Sequence, residues 1–376
     1  MHICIDARIS RGSWFTGVGN YTINLVDQLA RLAPRHTYSI LVHAAAGHVP
    51  VKEPERFRII PVQVSVGSVK QHVSMSRWLK RQGVDIILHT HPGSAMIVQS
   101  CPTVTSILDV YPLRFPEQFG WAPYLAYKFI IPLALRRSKR CIAISQCTKE
   151  DAVNYFSIPN KKVEVIYLAA SEIFKPIPKG AALNQVLRMY GIEGNYILYH
   201  GNKRPHKNLE GLVKSFCQLK KQSDFPYKLV ITGEENPNEL EFDSSNLRKL
   251  VDKLGIRNEV HFTGRVSEGD LPFIYSGADL LVLPSYFEGF GLPALEAMAC
   301  GTPVVASDRG ALPEVILDAG LLVNPYDLDA LGRNIQRVLE DERLRYSLIE
   351  KGLDRAKYFS WRSTAEKTLQ ILEDAV

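Results

Sequence analysis

The sequence lacks the features of membrane-spanning, disulfide-stabilised and zinc-binding proteins. No window of about 18 apolar residues occurs, and Asp6 and Arg8 interrupt the segment that a signal peptide would need to be apolar. The six cysteines are scattered, with no C-x-x-C pair and no paired histidine, which favours reduced thiols. We therefore expect a cytoplasmic protein that attaches at most peripherally to the inner face of the plasma membrane.

Disorder and fibrous structure are excluded by composition, because 46% of the 376 residues are hydrophobic and 22% are charged. This length predicts two domains, each large enough to bury a core. Charge is uneven: residues 1–180 hold 22 Lys and Arg against 11 Asp and Glu, and residues 181–376 hold 23 against 28. The two halves are therefore expected to meet different ligands.

Short apolar runs rich in β-branched residues alternate with longer amphipathic stretches, a pattern typical of parallel sheets covered by helices. The first half predicts strands at His2–Asp6, Tyr38–His43, Arg58–Val62, Asp85–His89, Thr103–Leu108, Cys141–Ile144 and Val163–Tyr167, and helices at Val18–Leu32 and Ser74–Gln82. The second half predicts strands at Tyr196–His200, Lys228–Thr232, Val260–Phe262, Leu280–Leu283, Pro303–Ala306 and Gly320–Val323.

Two prolines and a glycine in Phe174–Gly180 predict a linker that acts as a hinge between the two halves. We expect an α/β protein of two doubly wound, Rossmann-like domains, residues 1–175 and 181–360, that face a central ligand cleft. A last helical stretch, about 361–376, is expected to pack back onto the first domain.

The densest chemical signal runs from Leu283 to Pro303. A strand ends, a loop with two glycines follows, Pro293 suits the first turn of a helix and Gly301 suits its end. Backbone N–H groups at such a helix start bind anions. Glu288 and Glu296 border this turn, which favours carboxylates that bind sugar hydroxyls; the alternative is that Glu288 caps the helix and Glu296 is a solvated helix residue.

A second signal is the basic loop that follows the first strand of the second half. Lys203, Arg204 and Lys207 fall within five positions at the carboxyl end of that strand, where they could neutralise a diphosphate. The alternative is a solvated basic loop.

With Asp6-Ala-Arg8, Thr16-Gly17-Val-Gly19, Phe262-Thr-Gly264 and the Glu288–Glu296 segment, the whole chain resembles the retaining GT-B glycosyltransferases of group 1, family four. The resemblance implies transfer of a hexose from a nucleoside diphosphate sugar, GDP-mannose or UDP-glucose, to a glycan or lipid-linked acceptor in polysaccharide biosynthesis. It also implies retention at the anomeric carbon, no metal or other cofactor, and no nucleic-acid partner.

The resemblance also implies a role for each matching residue. Glu288 would hold the donor sugar's hydroxyls and Glu296 the ribose, while Lys207, with Arg204 or Lys203, would bind the diphosphate. Further donor contacts are implied for Gly17, Gly19, Arg265, Val266, Phe290, Gly291 and Leu292. The chain departs from the family in having Asn202 where an arginine is usual.

A second departure concerns a first-domain strand end, where many relatives carry His-Asp. Here Leu108 precedes Asp109, so Asp109 is kept as a catalytic candidate without the histidine. His89 or His91 could substitute, although a lone strand-end histidine more often has a structural role.

Two other segments have competing interpretations. The stretch from Trp121 to Arg140 mixes aromatic and cationic residues, which indicates either a surface for anionic membrane or a buried helix with a basic end. Asp327-Leu-Asp329 imitates a metal-binding Asp-x-Asp, but its position before an amphipathic helix favours capping.

Rival functions remain open at this point. A catalytically silent scaffold that binds nucleotide sugar is compatible with the missing histidine, and a sugar-nucleotide epimerase or a phosphorylase would use the same fold. A nicotinamide dehydrogenase is disfavoured, because no Gly-x-Gly-x-x-Gly follows a strand.

Overall fold

The computed structural model describes residues 1–10, 17–33, 35–46, 49–64, 66–68, 71–118, 120–222, 224–233 and 244–376. Thr16 of the glycine motif therefore lies outside the described residues. The described chain forms two compact units, one of Met1–Leu168 with Ser360–Val376 and the other of Ala169–Phe359. Each unit has a parallel sheet with helices, which confirms the predicted α/β class.

The first unit is built on a seven-stranded parallel sheet in the order β3-β2-β1-β4-β5-β6-β7. The strands are β1 His2–Asp6, β2 Thr37–His43, β3 Phe57–Val62, β4 Ile86–His89, β5 Thr103–Ile107, β6 Arg140–Ala143 and β7 Val163–Val165. The helices are α1 Gly17–Leu32, α2 Ser76–Arg81, α3 Tyr111–Arg114, α4 Trp121–Leu125, α5 Ile131–Arg137 and α6 Gln146–Phe156. Single π-helical turns, Gln71–Met75 and Ala126–Ile130, precede α2 and join α4 to α5.

The second unit has a six-stranded parallel sheet in the order β10-β9-β8-β11-β12-β13. Its strands are β8 Tyr196–His200, β9 Lys228–Thr232, β10 Val260–Gly264, β11 Leu280–Leu283, β12 Val304–Ser307 and β13 Leu321–Val323. Its helices are α7 Ala181–Met189, α8 Leu209–Gln222, α9 Ser244–Lys253, α10 Leu271–Gly277, α11 Leu292–Ala299, α12 Leu312–Ile316, α13 Leu328–Glu340 and α14 Glu342–Lys357. Every strand predicted from the apolar runs is present in the two sheets.

A buried ion pair fixes the carboxyl end of β1. Arg8 donates from Nε and Nη2 to the Asp6 carboxylate at 2.8 and 2.6 Å, and both side chains are fully buried. Burial alone would raise the pKa of Asp6, but the charge and hydrogen bonds of Arg8, aided by His89, hold it well below its ordinary value. The Asp6-Ala-Arg8 motif is thus part of the core of this unit.

The last helix, α15 Trp361–Asp374, belongs to the first unit. The Trp361 ring lies 6.3 Å from the ring of Tyr21, and Thr364 Oγ1 donates to the Tyr167 carbonyl at 2.7 Å. This is the packing that the sequence led us to expect for the final helical stretch.

The segment predicted as a linker is attached to the second unit. The Phe174 ring packs edge-on against Tyr275 at 5.8 Å, and the backbone N–H of Ile177 donates to Ser276 Oγ at 3.1 Å. The first unit's main segment ends at Leu168, where the sequence analysis placed its limit at residue 175, and Phe174–Gly180 belongs to the second unit.

The helical stretch from Trp121 to Arg137 has one buried and one exposed face. Tyr127, Ile131 and Leu135 are buried in a core cluster that also contains Phe156. The opposite face is exposed and carries large apolar side chains. No helix within the described ranges is long and apolar enough to cross a bilayer.

Candidate active site

Asn208 holds the basic loop of the second unit in place. It adopts a left-handed backbone conformation (φ +55°), which asparagine tolerates, and its Oδ1 accepts from Gly211 N at the start of α8. Its Nδ2 donates to the carbonyls of Pro284 at 3.1 Å and Pro325 at 2.9 Å. Lys207 is thereby fixed between the loops that follow β11 and β13. Asn208 was given no role from the sequence alone, although asparagine before a helix is a capping signal.

Lys207 and Glu288 bind each other. The Lys207 ammonium lies 2.7 and 2.8 Å from the two oxygens of the Glu288 carboxylate, and Ser285 Oγ donates to Oε1 at 2.7 Å. The two side chains are only 13% and 9% exposed. At a site with so little water, an unpaired charge would carry a large desolvation penalty. Each charge is therefore stable only beside the other or beside a ligand group that replaces it. The structure thus brings two of the predicted site residues into direct contact.

The Glu288 backbone is fixed by the loop that follows β12. Ala311 N donates to the Glu288 carbonyl at 2.9 Å, and Gly310 takes a left-handed conformation (φ +64°) beside it. A Cβ at Gly310 would collide with the Glu288 backbone. Gly310 and Ala311 were not identified from the sequence, because their contact with Glu288 joins two separate βα loops.

Helix α11 begins at Leu292, four residues after Glu288, without a side-chain cap. Gly291 occupies the cap position at φ +99°, where no side-chain hydrogen bond is made, so the interpretation of Glu288 as the helix cap is wrong. Leu292 and Pro293 form the first turn, and the Phe290 ring is buried against Phe359 at 5.8 Å. The positive end of this helix therefore lies beside the Glu288 loop.

The end of α11 agrees with the sequence prediction. Gly301 is left-handed (φ +75°), its N–H donates to Met298 O at 3.1 Å, and Thr302 N donates to Ala297 O at 2.9 Å. These two bonds form the usual glycine-terminated helix end.

Glu296 is buried rather than solvated. Only 6% of the residue is exposed, and the Tyr275 hydroxyl donates to its Oε2 at 2.8 Å. Burial raises the pKa of Glu296 to about 7, although the Tyr275 hydrogen bond opposes the shift; the nearby charge of Glu268 adds to it. This carboxyl therefore releases its proton less readily than an ordinary glutamate, and hydroxyl donors of a ligand would favour its charged form.

Two histidines near Lys207 are uncharged at neutral pH. Burial, together with the charge of Lys207, lowers the pKa of His200 to about 4 and that of His206 to about 2. His200 Nδ1 is 2.7 Å from Thr232 Oγ1 on the neighbouring strand. The positive charge of this part of the site is therefore carried by lysine and arginine.

Four other residues of the second unit were predicted to contact the donor, and they lie on the loops that follow β8 and β10. Lys203 is buried with its Nζ 5.6 Å from the centre of the Phe262 ring, which also stacks on the Arg248 guanidinium at 4.3 Å. Arg204 precedes the helical turn that contains Lys207. After β10, Arg265 is exposed and Val266 is buried.

Residues near Leu108 in the first unit form structural hydrogen bonds. Asp109 Oδ1 accepts from Tyr111 N at 3.0 Å at the start of α3, and His91 Nδ1 accepts from Gly93 N at 3.0 Å. His89 is fully buried, with Nδ1 3.2 Å from Asp6 Oδ2. These contacts favour the structural interpretation of both histidines.

Gly17 and Gly19 lie in the first turn of α1, which begins one residue before the helix start predicted at Val18. Gly17 is the first residue of α1 and Gly19 is buried two positions further on. A Cβ at Gly17 would meet no atom of the described residues within 4 Å.

The Asp-x-Asp segment caps a helix, as predicted. Asp327 Oδ1 accepts from Ala330 N at 2.8 Å and begins α13. In the parts of the chain that the structure describes, no group of three His, Cys, Asp or Glu side chains could hold a metal ion, and the cysteines form no disulfide.

The buried carboxyl of Glu296 generates a pH-dependent prediction. Its pKa is about 7 in the folded protein and about 4.3 in an unfolded chain, so the folded state binds the extra proton and loses stability as pH rises between these values. The free energy of unfolding of Glu296→Gln, relative to that of the unsubstituted protein, should increase by about 3 kcal/mol from pH 4 to pH 8.

Urea unfolding at several pH values measures this difference. Glu350→Gln, which changes an exposed glutamate of α14, is the matched control and should follow the unsubstituted protein at every pH. Parallel curves for Glu296→Gln and the unsubstituted protein would contradict the raised pKa.

Comparisons with known proteins agree with this architecture. The family described as "Glycosyl transferases group 1" matches residues 191–355, and "Glycosyltransferase Family 4" matches residues 15–170. O-antigen chain mannosyltransferase B of Escherichia coli is 29% identical over 370 residues, which are 94% of this chain and 95% of that protein. The serotype-specific mannosyltransferase WbdA of Escherichia coli is 31% identical over 71% of this chain, which spans only 33% of that longer protein.

Solved structures show the same fold at low sequence identity. Sucrose-phosphate synthase from Thermosynechococcus elongatus superposes with a TM-score of 0.82 at 20% identity, over 100% of this chain and 98% of that one. HepE from Anabaena, in complex with UDP-glucose, gives 0.80 at 19% identity over the full length of both chains. With both units matched by family and by fold, the chain belongs to the group 1 glycosyltransferases of the GT-B fold.

Proposed function

We propose that the chain transfers a hexose from a nucleoside diphosphate sugar to a hydroxyl of a glycan or lipid-linked acceptor in polysaccharide biosynthesis. The observation that carries the proposal is the Lys207–Glu288 pair beside the uncapped start of α11. An ammonium and a helix amino terminus suit a diphosphate, and a carboxylate suits sugar hydroxyls. Donor binding would replace the ion pair with these two sets of contacts.

The proposed chemistry needs no protein nucleophile. The bond from the anomeric carbon to the diphosphate oxygen breaks, and the acceptor oxygen bonds to the same face of that carbon, with retention. The acceptor proton passes to the leaving phosphate oxygen. Lys207, with Arg204 or Lys203, would neutralise the charge that develops there, and no metal cofactor is required.

Mannose is the favoured sugar, with GDP-mannose as the first donor to test. Relatives in O-antigen synthesis from Escherichia coli and Salmonella typhimurium are described as mannosyltransferases. UDP-glucose is the second candidate. Glu296, held by Tyr275, would bind the nucleotide ribose, while Asp109, Gly17 and Gly19 remain proposed contributions of the first unit.

A donor assay tests the proposal. The purified protein is mixed with GDP-mannose, UDP-glucose, ADP-glucose or dTDP-glucose in EDTA, and both the melting temperature and release of nucleoside diphosphate are measured. One donor should raise the melting temperature and be slowly hydrolysed. Glu288→Ala should lower turnover at least about 100-fold while keeping the fold, because it removes a group on the reacting sugar.

Each other outcome of this assay has a definite meaning. Near-normal turnover by Glu288→Ala would overturn its catalytic role. Donor binding without turnover, even with mannose oligosaccharides added as acceptors, would favour a silent scaffold. Absence of any response to all four donors would contradict the proposed function.

We also propose that the first unit binds the surface of an anionic membrane, where a lipid-linked acceptor would lie. Along the exposed face of the α4–α5 stretch, Trp121 is 78% exposed and Phe129 is 62% exposed. Leu125 and Leu133 continue the same four-residue spacing and are about two-fifths exposed. We call these four residues the apolar stripe.

The charge around the apolar stripe supports a lipid occupant. The exposed cations near it are Lys128, Arg136, Arg137, Lys139 and Arg140, and no acidic residue occurs between Trp121 and Arg140. Cations attract anionic headgroups, and tryptophan and phenylalanine enter the interface. A second copy of this chain would bring an identical basic surface and be repelled.

Vesicle flotation tests the membrane proposal. The unsubstituted protein should float with vesicles that contain about 30% phosphatidylglycerol and much less with pure phosphatidylcholine, because the attraction needs anionic headgroups. Trp121→Ser with Phe129→Ser should abolish flotation, whereas Tyr346→Ser, which removes an exposed aromatic residue of the second unit, should not. Equal flotation of the double variant and the unsubstituted protein would overturn the proposal.

A further inference from the structure

Two tyrosines, Tyr326 exposed and Tyr286 half-buried, stack on each other in the second unit. The rings of Tyr286 and Tyr326 are 4.7 Å apart at an interplanar angle of 24°, and Tyr326 is 69% exposed. Tyr286 follows β11, two residues before Glu288, and Tyr326 follows β13. A stacked pair of rings that remains this open to solvent presents a flat, rigid aromatic surface, of the kind that contacts ligands.

A polar concavity adjoins the ring of Tyr326. Its lining residues are Gln218, Asn324, Tyr326, Asp327, Leu328 and Asp329. Side-chain amides and carboxylates bind hydroxyl groups, while an aromatic face attracts the C–H groups on the less polar side of a sugar ring. Aromatic and hydroxyl-binding groups are therefore combined in one place.

The pair is held in position before any ligand arrives. Tyr326 N donates to Asn324 Oδ1 at 3.1 Å, and Asp327 Oδ1 is fixed by Ala330 N on the other side of the tyrosine. Tyr286 N donates to the His206 carbonyl at 2.7 Å. Since these bonds order the backbone on both sides of the stack, little conformational entropy remains to be lost on binding.

The same loops carry the candidate active site. Asn208 donates to the carbonyls of Pro284 and Pro325, which precede the two tyrosines, and Lys207 lies between His206 and Asn208. A chain molecule bound at Tyr326 would therefore lie next to the loop that presents Lys207 to Glu288. This placement suits a growing glycan better than an isolated small ligand.

From these observations we infer that Tyr286, Tyr326 and the adjoining concavity form a glycan-binding subsite, which holds a sugar unit of an oligosaccharide outside the reacting centre. The inference rests on the proposed function for the identity of that oligosaccharide as acceptor or product. A nucleotide is a poorer occupant, because Asp327 and Asp329 would repel its phosphates.

Direct binding of hexasaccharides tests the subsite without any turnover. Mannohexaose with α linkages, maltohexaose and cellohexaose are titrated into the protein and followed by ligand-observed NMR. At least one should bind, and Tyr326→Ala should weaken its binding about tenfold. Tyr326→Phe keeps the stacking face and should bind within about twofold of the unsubstituted protein. Tyr346→Ala removes an exposed aromatic residue elsewhere and should have no effect.

Three results of the binding measurements would overturn the inference. They are binding of none of the three hexasaccharides, unchanged hexasaccharide binding by Tyr326→Ala, and loss of GDP or UDP affinity alone in that variant, which would assign the rings to a base. A dimer that Tyr326→Ala dissociates would instead make the pair an interface between copies. If no donor gives a response in the donor assay but a hexasaccharide still binds, the proposed function is rejected and the glycan-binding subsite is retained.

Discussion

The ion pair between Lys207 and Glu288 is the interaction on which the site of the second unit depends. Its two charges are almost removed from water and lie 2.7 Å apart, so neither can remain there without a partner. Much of the surrounding structure serves to keep them together. Asn208 fixes the lysine loop, and Ser285 and Gly310 fix the carboxylate and its backbone. A ligand that enters must therefore supply both an anion and hydroxyl groups.

The ionisable residues around the Lys207–Glu288 pair also favour a ligand that carries both an anion and hydroxyl groups. His200 and His206 are kept neutral by burial and by Lys207, so they add no positive charge and leave the lysine as the cation that faces Glu288. Glu296 has a pKa raised to about 7, and its carboxyl accepts a hydrogen bond from the Tyr275 hydroxyl rather than from a lysine. The two glutamates thus differ in environment, as expected if they bind different parts of one donor.

Local patterns in the sequence were enough to predict the strands and the ends of α11. Runs of Val, Ile and Leu identify strands buried on both faces, and Pro293 and Gly301 mark the helix limits. The direct Lys207–Glu288 contact joins residues 81 positions apart, and Asn208 reaches Pro325 over 117 positions. The Tyr286–Tyr326 stack also depends on such long-range contacts.

Nucleoside diphosphate affinity of Glu288→Gln tests the central claim most directly. If the diphosphate replaces Glu288 as the partner of Lys207, removal of the competing negative charge should leave the dissociation constant for GDP or UDP unchanged or lower it by up to about tenfold. Lys207→Met should weaken binding of GDP or UDP both in the protein with Glu288 and in the Glu288→Gln variant. A loss of affinity of tenfold or more in Glu288→Gln, measured by calorimetry, would contradict the claim that the pair opens to admit the donor.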